Sequence, residues 1–371
     1  METIRRKAPV RAARGRRWLG RFGYAVLGAA FAGAWLARFV PPERLWGLQL
    51  LAPLTPLLAL VLAAATVVVF RRGGRGTKLV HAALLVLVVW RFAPDAPRFA
   101  RMHGDIRGGA ATSDTLVVMT FNAGWLHAEK HRPMGEWLRE VRPHVVGIQE
   151  ATVHFVGGTN LSIGVFPFIE TDLFHVPEPV PESKIVLSRP ILTRVPGEAV
   201  GEFDLRDEDG TVLSTVGRVR LPWRGREVVV YNVHLHSYLS RGEATDRRGG
   251  ILRWMKRVFA ALREDVRTRA REARALRRLL DAETRPFLLI GDLNTTPHNW
   301  VYRHLSEGLR DAWRSASWRT LGTYPARLPL ARIDHILASP EWRIVEAGTG
   351  PPFVSDHRPL TAALTLRTEE P

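Results

Sequence analysis

Long uncharged stretches separated by short basic ones make up the N-terminal quarter of the chain. A membrane-spanning helix needs roughly 20 largely apolar residues, with about 17 as the lower limit. The second stretch passes this length despite two prolines, and the others pass it if basic residues at their ends reach toward the interface. The pattern predicts a membrane region at 22–93 with about three transmembrane helices. The stretches are residues 22–37, 45–70 and 79–90.

Basic residues between the stretches set the expected orientation, because basic loops stay in the cytoplasm. Residues 1–21, predicted as a cytoplasmic tail, contain eight Lys and Arg, and residues 71–78 contain four. Three spans would therefore place everything after about residue 95 of a cell-membrane protein outside the cytoplasm. If the short third stretch does not span, that part is cytoplasmic instead. A cleaved signal peptide would explain the first stretch but not the second.

After a Pro- and Gly-containing linker at 94–113, short apolar runs rich in β-branched residues replace the long stretches, which predicts strands. Helical stretches at 135–141 and 267–280 precede two of these runs. Strands mixed with helices predict an α/β or α+β domain at 114–368 around a sheet core. The predicted strands are residues 116–121, 145–148, 185–187, 228–233, 287–290, 333–337 and 360–366.

Composition changes this picture in two respects. The net charge of +17 is concentrated near the N-terminus, since residues 1–110 hold 18 Lys and Arg against 4 Asp and Glu, and the remainder holds 35 against 32. The basic balance therefore belongs mainly to the predicted membrane region and says little about the substrate. The chain has no cysteine, which excludes disulfides and thiolate metal sites.

Carboxylates, amides and imidazoles follow or end several of the predicted strands. Oxygen ligands suit magnesium, manganese or calcium, and histidines near carboxylates suit general acid–base chemistry. Together they predict metal-assisted attack of water on a phosphate ester. The residues are Asn122, Gln149, Glu150, His234, His236, Asp292, Asn294, Asp334, Asp356 and His357.

In chain order, these positions resemble the motifs of the endonuclease/exonuclease/phosphatase superfamily, which includes pancreatic-type deoxyribonucleases, abasic-site endonucleases, neutral sphingomyelinases and inositol polyphosphate phosphatases. The resemblance covers about residues 115–367. It implies a four-layer α/β sandwich with two packed mixed β-sheets and a site at one end. The motifs are Phe121-Asn122, Gln149-Glu150, Asn232-Val-His234, Gly291-Asp292-Leu-Asn294, Arg332-Ile-Asp334-His335 and Ser355-Asp356-His357.

The resemblance implies a magnesium or manganese site in this domain. Glu150 would be the main ligand, helped by Asn122. Asp356 would complete the polar or metal shell. Gln149 would either steady that shell or point away from it.

Catalytic roles are implied by the same resemblance. His357, oriented by Asp334, would polarise or deprotonate the attacking water. Asp292 would position that water, and Asn294 would hold a phosphate oxygen. His234 would stabilise the charge growing on the phosphate or protonate the leaving group.

Two departures from the family's motifs argue against abasic-site repair. Ala123 and Gly124 follow Asn122, where abasic-site endonucleases carry an Asp, and His234 stands where they use a Tyr. His236 receives no catalytic role and is expected to be structural. Deoxyribonuclease-like, sphingomyelinase-like and phosphatase-like activities remain open.

Residues 241–280 form an additional basic segment with 13 Lys and Arg against 5 Asp and Glu. Its apolar residues recur at helical spacing, which predicts an amphipathic helix. Packing on the domain is the first interpretation, and contact with a membrane surface or with DNA are the alternatives.

These observations predict a membrane-anchored, magnesium-dependent phosphoesterase with nuclease-like phosphodiester hydrolysis. The substrate would be nucleic acid or, alternatively, a lipid head group or a small phosphate ester. A catalytically inactive binding module of the same fold is the non-enzymatic alternative. The bilayer is an expected partner, and nothing in the sequence indicates a protein partner.

Overall fold

The described parts of the chain include most of the predicted membrane region and most of the predicted catalytic domain. The predicted linker at 94–113 lies outside them. The computed structural model describes residues 10–72, 74–92, 114–124, 132–151, 153–156, 159–162, 186–196, 199–238, 250–316, 322–353 and 355–367.

The described part of the predicted membrane region consists of helices joined by short non-helical segments. The first helix begins at Val10, so it extends into the residues predicted as the cytoplasmic tail. The second apolar stretch is interrupted by a 3-10 turn that contains Pro53, because a proline inside a helix removes a backbone donor and clashes with the preceding turn. The helices are α1 (Val10–Leu36), α2 (Pro42–Leu51), α3 (Thr55–Arg72) and α4 (Arg75–Phe92).

Helices α1, α3 and α4 pack around buried Phe31, Ala59 and Leu62. Many of their outer apolar side chains are uncovered, and only 28% of the most apolar window of Pro42–Val68 is buried. This stretch has a mean hydropathy of 2.2 and is long and apolar enough to cross a membrane, whereas Phe22–Leu36 and Lys78–Trp90 are shorter apolar helices. The exposed side chains include Leu57, Leu60, Val67, Leu79, Val80, Val86 and Val89.

The C-terminal domain contains two large sheets and a small one. Its helices are α5 (Arg132–Val141), α6 (Ile251–Asp281), α7 (Trp300–Ser306) and α8 (Ala312–Ala316). Its strands are β1 (Leu116–Asn122), β2 (Val145–Gln149), β3 (Val153–Val156), β4 (Thr159–Ser162), β5 (Val186–Leu187), β6 (Ile191–Thr193), β7 (Ala199–Arg206), β8 (Val212–Trp223), β9 (Arg226–His234), β10 (Phe287–Asp292), β11 (Arg310–Asp311), β12 (Asp334–Ala338), β13 (Trp342–Thr349) and β14 (Leu360–Leu366).

Both large sheets are mixed. The first has the order β13-β14-β1-β2-β6, with β1 and β2 parallel, and the second has the order β11-β12-β10-β9-β8-β7, with β9 and β10 parallel. The small sheet has the order β4-β3-β5. Since parallel neighbours end at the same edge of a sheet, the β1–β2 and β9–β10 pairs each deliver two strand ends to one place.

Alternation along the strands builds the layers, because successive side chains point to opposite faces. In β1, Leu116 and Val118 face the core between the two large sheets, whereas Met119 and Phe121 pack with α5. Helices α6 and α7 cover the other outer face. The four-layer sandwich with two packed mixed sheets, expected from the family resemblance, is therefore confirmed.

The N-terminal helices contact this domain through polar bonds, which are buried at Gln49 and exposed at Glu43. The amide of Asn299 donates to the carbonyl oxygen of Gln49 at 3.0 Å, and the backbone N–H of Trp300 donates to Gln49 Oε1 at 3.1 Å. Arg274 donates to both carboxylate oxygens of Glu43, at 2.8 and 2.7 Å. These contacts tie α2 to α6 and to the segment that follows Asn294.

Candidate active site

Strand ends from both large sheets meet at one end of the sandwich. β1 and β2 bring Asn122 and, one residue after its end, Glu150. β9, β10 and β12 lie side by side, so that Asp292 is flanked by His234 on one strand and Asp334 on the other. The sequence expectation that polar residues at separate strand ends share one site matches this arrangement.

Asp292 lies at the centre of the site and is almost completely buried. Its Oδ2 accepts a hydrogen bond from the Asn122 amide at 3.0 Å and lies 3.7 Å from Nε2 of both His234 and His357. The Asn122 amide also donates to Glu150 Oε1 at 3.1 Å. One carboxylate thus contacts residues from both sheets.

Two glycines permit this close approach. Gly291 has φ +143°, and a Cβ there would lie 1.9 Å from the Val233 carbonyl oxygen. A Cβ on Gly147 would lie 2.6 Å from Ile290 Cδ1, across the interface between the sheets. Side chains at these two positions would force β10 away from its neighbours and displace Asp292.

His357 forms a buried pair with Asp334, whose Oδ2 lies 2.9 Å from His357 Nδ1. Burial opposes a charge on this imidazole, but the carboxylates of Asp334, Asp292 and Asp356 outweigh it and raise the pKa of His357 to about 10. Ser355 holds the loop in place, since its hydroxyl donates to the Asn122 carbonyl oxygen at 2.7 Å and accepts from the His357 N–H at 3.0 Å.

His234 is in a different electrostatic environment. Burial lowers its pKa, and the nearby charge of Arg189 acts in the same direction, while Asp292 and Glu150 oppose both. The two site histidines are therefore shifted in opposite directions, which is the arrangement expected of groups with different proton-transfer roles.

The backbone is left-handed at two of the predicted site residues. Glu150 has φ +54° and Asn294 has φ +48°, conformations that cost a non-glycine residue of the order of 1–3 kcal/mol. The Asn294 N–H donates to Asp292 Oδ1 at 2.8 Å, and its side-chain amide donates to the Leu235 carbonyl oxygen at 2.8 Å. Asn294 thus holds the turn that carries Asp292, and its role toward phosphate stays a prediction.

The predicted metal ligands occupy three different settings. Glu150 is partly exposed at the site. Asn122 presents its NH2 group to the carboxylates while its Oδ1 accepts from the Gly124 N–H at 3.0 Å, so its oxygen could face a cation only after the amide is turned over. The Asp356 side chain is exposed.

Gln149 points away from Glu150 and into the interface between the sheets. Its amide donates to Asn232 Oδ1 at 2.5 Å and to the Thr120 hydroxyl at 3.0 Å. Asn232 in turn donates to the Ile148 carbonyl oxygen at 2.8 Å. Of the two orientations left open for Gln149, the structure therefore has the one that points away.

His236 contacts α6. Its Nε2 lies 2.8 Å from Asp265 Oδ1, its N–H donates to Glu272 Oε2 at 2.7 Å, and its carbonyl oxygen accepts from Arg269 at 2.6 Å. These contacts match the structural role expected for His236.

Two residues of the site were not predicted. Arg189 donates to the His234 carbonyl oxygen at 3.1 Å and to the hydroxyls of Ser188 and Thr215. Tyr324 packs against the His357 ring with 5.0 Å between centroids. Arg189 is the second residue after a predicted strand, a signal that could have identified it, whereas Tyr324 lies in a loop without such a signal.

Comparison with known proteins agrees with this geometry. The model of the Endonuclease/Exonuclease/phosphatase family matches residues 119–357, which include every site residue described above. No curated protein matches the chain.

Solved structures with a similar fold include three with informative names. An endonuclease/exonuclease/phosphatase from Beutenbergia cavernae DSM 12333 is 22% identical, with 68% of this chain and 72% of that chain covered and a TM-score of 0.47. A mannosyl-6-phosphatase from Bacteroides thetaiotaomicron VPI-5482 is 17% identical, with 68% and 100% covered and a TM-score of 0.45. D. rerio TDP2 complexed with a single-strand DNA product is 12% identical, with 68% and 99% covered and a TM-score of 0.46. These likenesses concern the fold alone.

Proposed function

Because the chain belongs to the endonuclease/exonuclease/phosphatase family, whose members are phosphoesterase hydrolases, we propose that it hydrolyses phosphate esters with a bound magnesium or manganese ion. The observation that carries this proposal is the position of Asp292. Its Oδ2 accepts a hydrogen bond from the Asn122 amide and lies near the Nε2 atoms of both His234 and His357. Acidic and imidazole groups are thereby assembled around one small volume.

The donors around Asp292 fit a hard divalent cation. Oδ1 of Asp334 is buried and has no hydrogen-bond partner among the described residues, and Asp292, Asp334 and His357 each bring one ligand atom within 4.8 Å of the others. Glu150 and Asn122 flank the same carboxylate and remain the proposed principal ligands, whereas the exposure of Asp356 gives it less support. When bound, such an ion polarises the phosphate and makes a coordinated water more acidic.

The two histidines would handle protons beside Asp292. Because Nδ1 of His357 is occupied by Asp334, Nε2 is the atom left to accept a proton from water or to polarise it. Positive charge next to Asp292 would bring the raised pKa of His357 closer to neutrality. His234, held by Arg189 through its carbonyl oxygen, would donate to a phosphate oxygen or to the leaving group.

The N-terminal helices are proposed to anchor this domain in the cell membrane. The support is the large uncovered apolar surface of α3 and α4 and the length of Pro42–Val68. With three spans, the basic loop at 71–78 would be cytoplasmic and the active site extracytoplasmic. A reporter that is active only outside the cytoplasm should work when fused at the C-terminus and stay silent when fused after Arg75. A silent C-terminal fusion would place the domain in the cytoplasm.

Two substrate classes fit the site. Nuclease-like phosphodiester hydrolysis is the leading proposal, since the proposed metal and the two oppositely shifted histidines suit a phosphodiester. A phospholipid head group is the second candidate, because α2 contacts Asn299 and Trp300, only a few residues after Asp292. An inactive binding module would not need the complete set of Glu150, His234 and His357.

Hydrolysis assays on the purified full chain test these proposals. DNA, RNA, phospholipid vesicles and small phosphate esters would be offered with magnesium or with EDTA, and the Asp292→Asn protein would serve as control. We expect the wild-type protein to hydrolyse one of these substrate classes when magnesium is present and not when EDTA is present. The Asp292→Asn protein should lose that activity. No hydrolysis of any class would reject the enzymatic proposal and favour the binding module.

A further inference from the structure

The two halves of α6 have different surroundings. From residue 265 onward the helix packs on the second sheet, and Val266, Ala270 and Leu276 are buried. None of residues 251–264 is buried. Four large apolar side chains of this first half are exposed, namely Ile251 at 65%, Leu252 at 73%, Met255 at 40% and Phe259 at 50%.

Three of the four exposed side chains continue the stripe with which the second half packs, and Leu252 lies at its edge. Spacings of three and four residues keep side chains on one face of a helix. The stripe consists of Ile251, Met255, Phe259, Leu262, Val266, Ala270, Ala273, Leu276 and Leu280. The helix therefore runs for 14 residues, or about 20 Å at 1.5 Å per residue, before its first buried residue, and most of its apolar face there is exposed.

Charge and position indicate what covers this face. Arg253, Lys256 and Arg263 are exposed beside the stripe, and Glu264 is the only acidic residue of 250–264, so the surface favours an anionic partner. The ring of Phe259 contacts Trp46 at 6.4 Å between centroids. Trp46 lies near the start of Pro42–Val68, the stretch long and apolar enough to cross a membrane. The uncovered stripe is thus continuous with the entry of the proposed span.

We propose that the segment 251–262 lies in the head-group interface of a bilayer containing anionic lipid, with its apolar face toward the acyl chains. A helix with an apolar face and basic flanks binds such an interface through both buried apolar area and attraction to lipid charge. This inference rests on the proposed membrane anchoring and extends it from the span to the catalytic domain.

The placement has a consequence for the active site. His236, two residues after His234, is bonded to Asp265 and Glu272 on α6. Fixing α6 at the interface would therefore fix the catalytic end of β9 near the bilayer surface. Phosphate esters displayed by that surface would be favoured over phosphate esters in bulk solution.

Depth-dependent quenching in the reconstituted full chain tests the inference. Because the chain has no cysteine, single substitutions can carry a fluorescent label without removing native thiols. Leu252→Cys probes the helix, Leu60→Cys probes the span, and Val212→Cys is the control, exposed by 46% on the hairpin between β7 and β8. Each labelled protein would be placed in phosphatidylcholine vesicles with phosphatidylglycerol and quenched by spin-labelled lipid or by aqueous iodide.

We expect lipid-borne quenching at positions 252 and 60 to be several-fold larger than at 212, with iodide giving the reverse order. Reversing the charge of Arg253, Lys256 and Arg263 to Glu should reduce lipid quenching at 252 and leave it unchanged at 60. Together these results would support interfacial binding driven by both apolar area and charge.

Three outcomes would overturn it. Lipid quenching at 60 combined with iodide quenching at 252 would reject the interfacial helix and retain the anchor. Lipid quenching at none of the three positions would reject both. Protection of position 252 from both quenchers, with excimer formation between pyrene labels, would show that a second copy of the chain covers the face.

Discussion

Two histidine–aspartate pairs in this domain have almost the same contact distance, made through different ring nitrogens, and they have different surroundings. His357 lies 2.9 Å from Asp334, and His236 lies 2.8 Å from Asp265. The other ring nitrogen of His357 is 3.7 Å from Asp292, a second carboxylate. A histidine–aspartate contact thus occurs both in the proposed catalytic site and at the junction with α6.

The difference between the pairs lies in what surrounds them. The backbone of His236 is bonded to Glu272 and Arg269, so the pair belongs to a network that includes a guanidinium and joins β9 to α6. The His357 pair lies beside carboxylates that make its surroundings strongly negative. We infer that the excess of acceptors around the ring, and not the pair itself, distinguishes a site that can bind a cation and move protons.

Metal removal should show the largest functional difference between the His357–Asp334 pair and the His236–Asp265 pair. Exhaustive chelation is expected to abolish hydrolysis, and magnesium or manganese should restore it, because the ligands are hard oxygens. Glu150→Gln should weaken the rescue. In NMR spectra, added magnesium should shift the His357 ring signals more than those of His236. Full activity after chelation would contradict the metal assignment.

Removal of each imidazole is the next largest contrast. His357→Ala should lower kcat by about two or more orders of magnitude, the scale of general acid–base catalysis. His236→Ala should lower it by less than about tenfold, since it is expected to act only by holding β9 against α6. Steady-state kinetics on the substrate found above would measure both. Equal losses in the two proteins would refute the distinction.

Substituting the aspartate of each pair should have opposite effects. The change at Asp334 should mainly lower activity, and the change at Asp265 should mainly lower stability. Asp334→Asn should reduce kcat by about 10–100-fold, as is typical for partners that orient active-site groups. Asp265→Asn should leave kcat nearly unchanged and lower the free energy of unfolding by about 1–3 kcal/mol, because a buried charged hydrogen bond is weakened. Paired kinetic and thermal-unfolding measurements would decide, and a large kcat loss in Asp265→Asn would be the contrary result.

A further contrast concerns how stability changes with pH in the presence of chelator. The pKa of His357 is raised to about 10, above the value of about 6.5 for an unfolded chain. Its contribution to stability is therefore complete below about pH 6.5 and is lost as the pH rises toward about 10. Melting temperatures from tryptophan fluorescence should fall over this range in the wild-type and His236→Ala proteins, and fall less in His357→Ala. Identical slopes in all three would reject the assigned shift.

The sequence by itself determined the central strands and the positions of the site residues. β1, β9, β10 and β14 are continuous apolar or β-branched runs, and the residues that end them follow directly from the chain. These features were predictable because they depend on neighbours in sequence.

Other elements could not be read in this way. β8 carries Arg218 and Arg220 and has mixed burial, so it shows no apolar run, and its strand character depends on pairing with β7 and β9. The direction of Gln149 depends on Asn232, which belongs to the other sheet. Arg189 acquires its place only through contacts with Thr215 and His234.

Tertiary structure also decided what the two halves of α6 contact. Their apolar spacing is the same in the sequence, but only the second half is buried against the sheet, while most of the first half is exposed. Periodicity specifies which face of a helix is apolar. What covers that face is decided by elements distant in the chain, because burial depends on three-dimensional packing and not on local pattern.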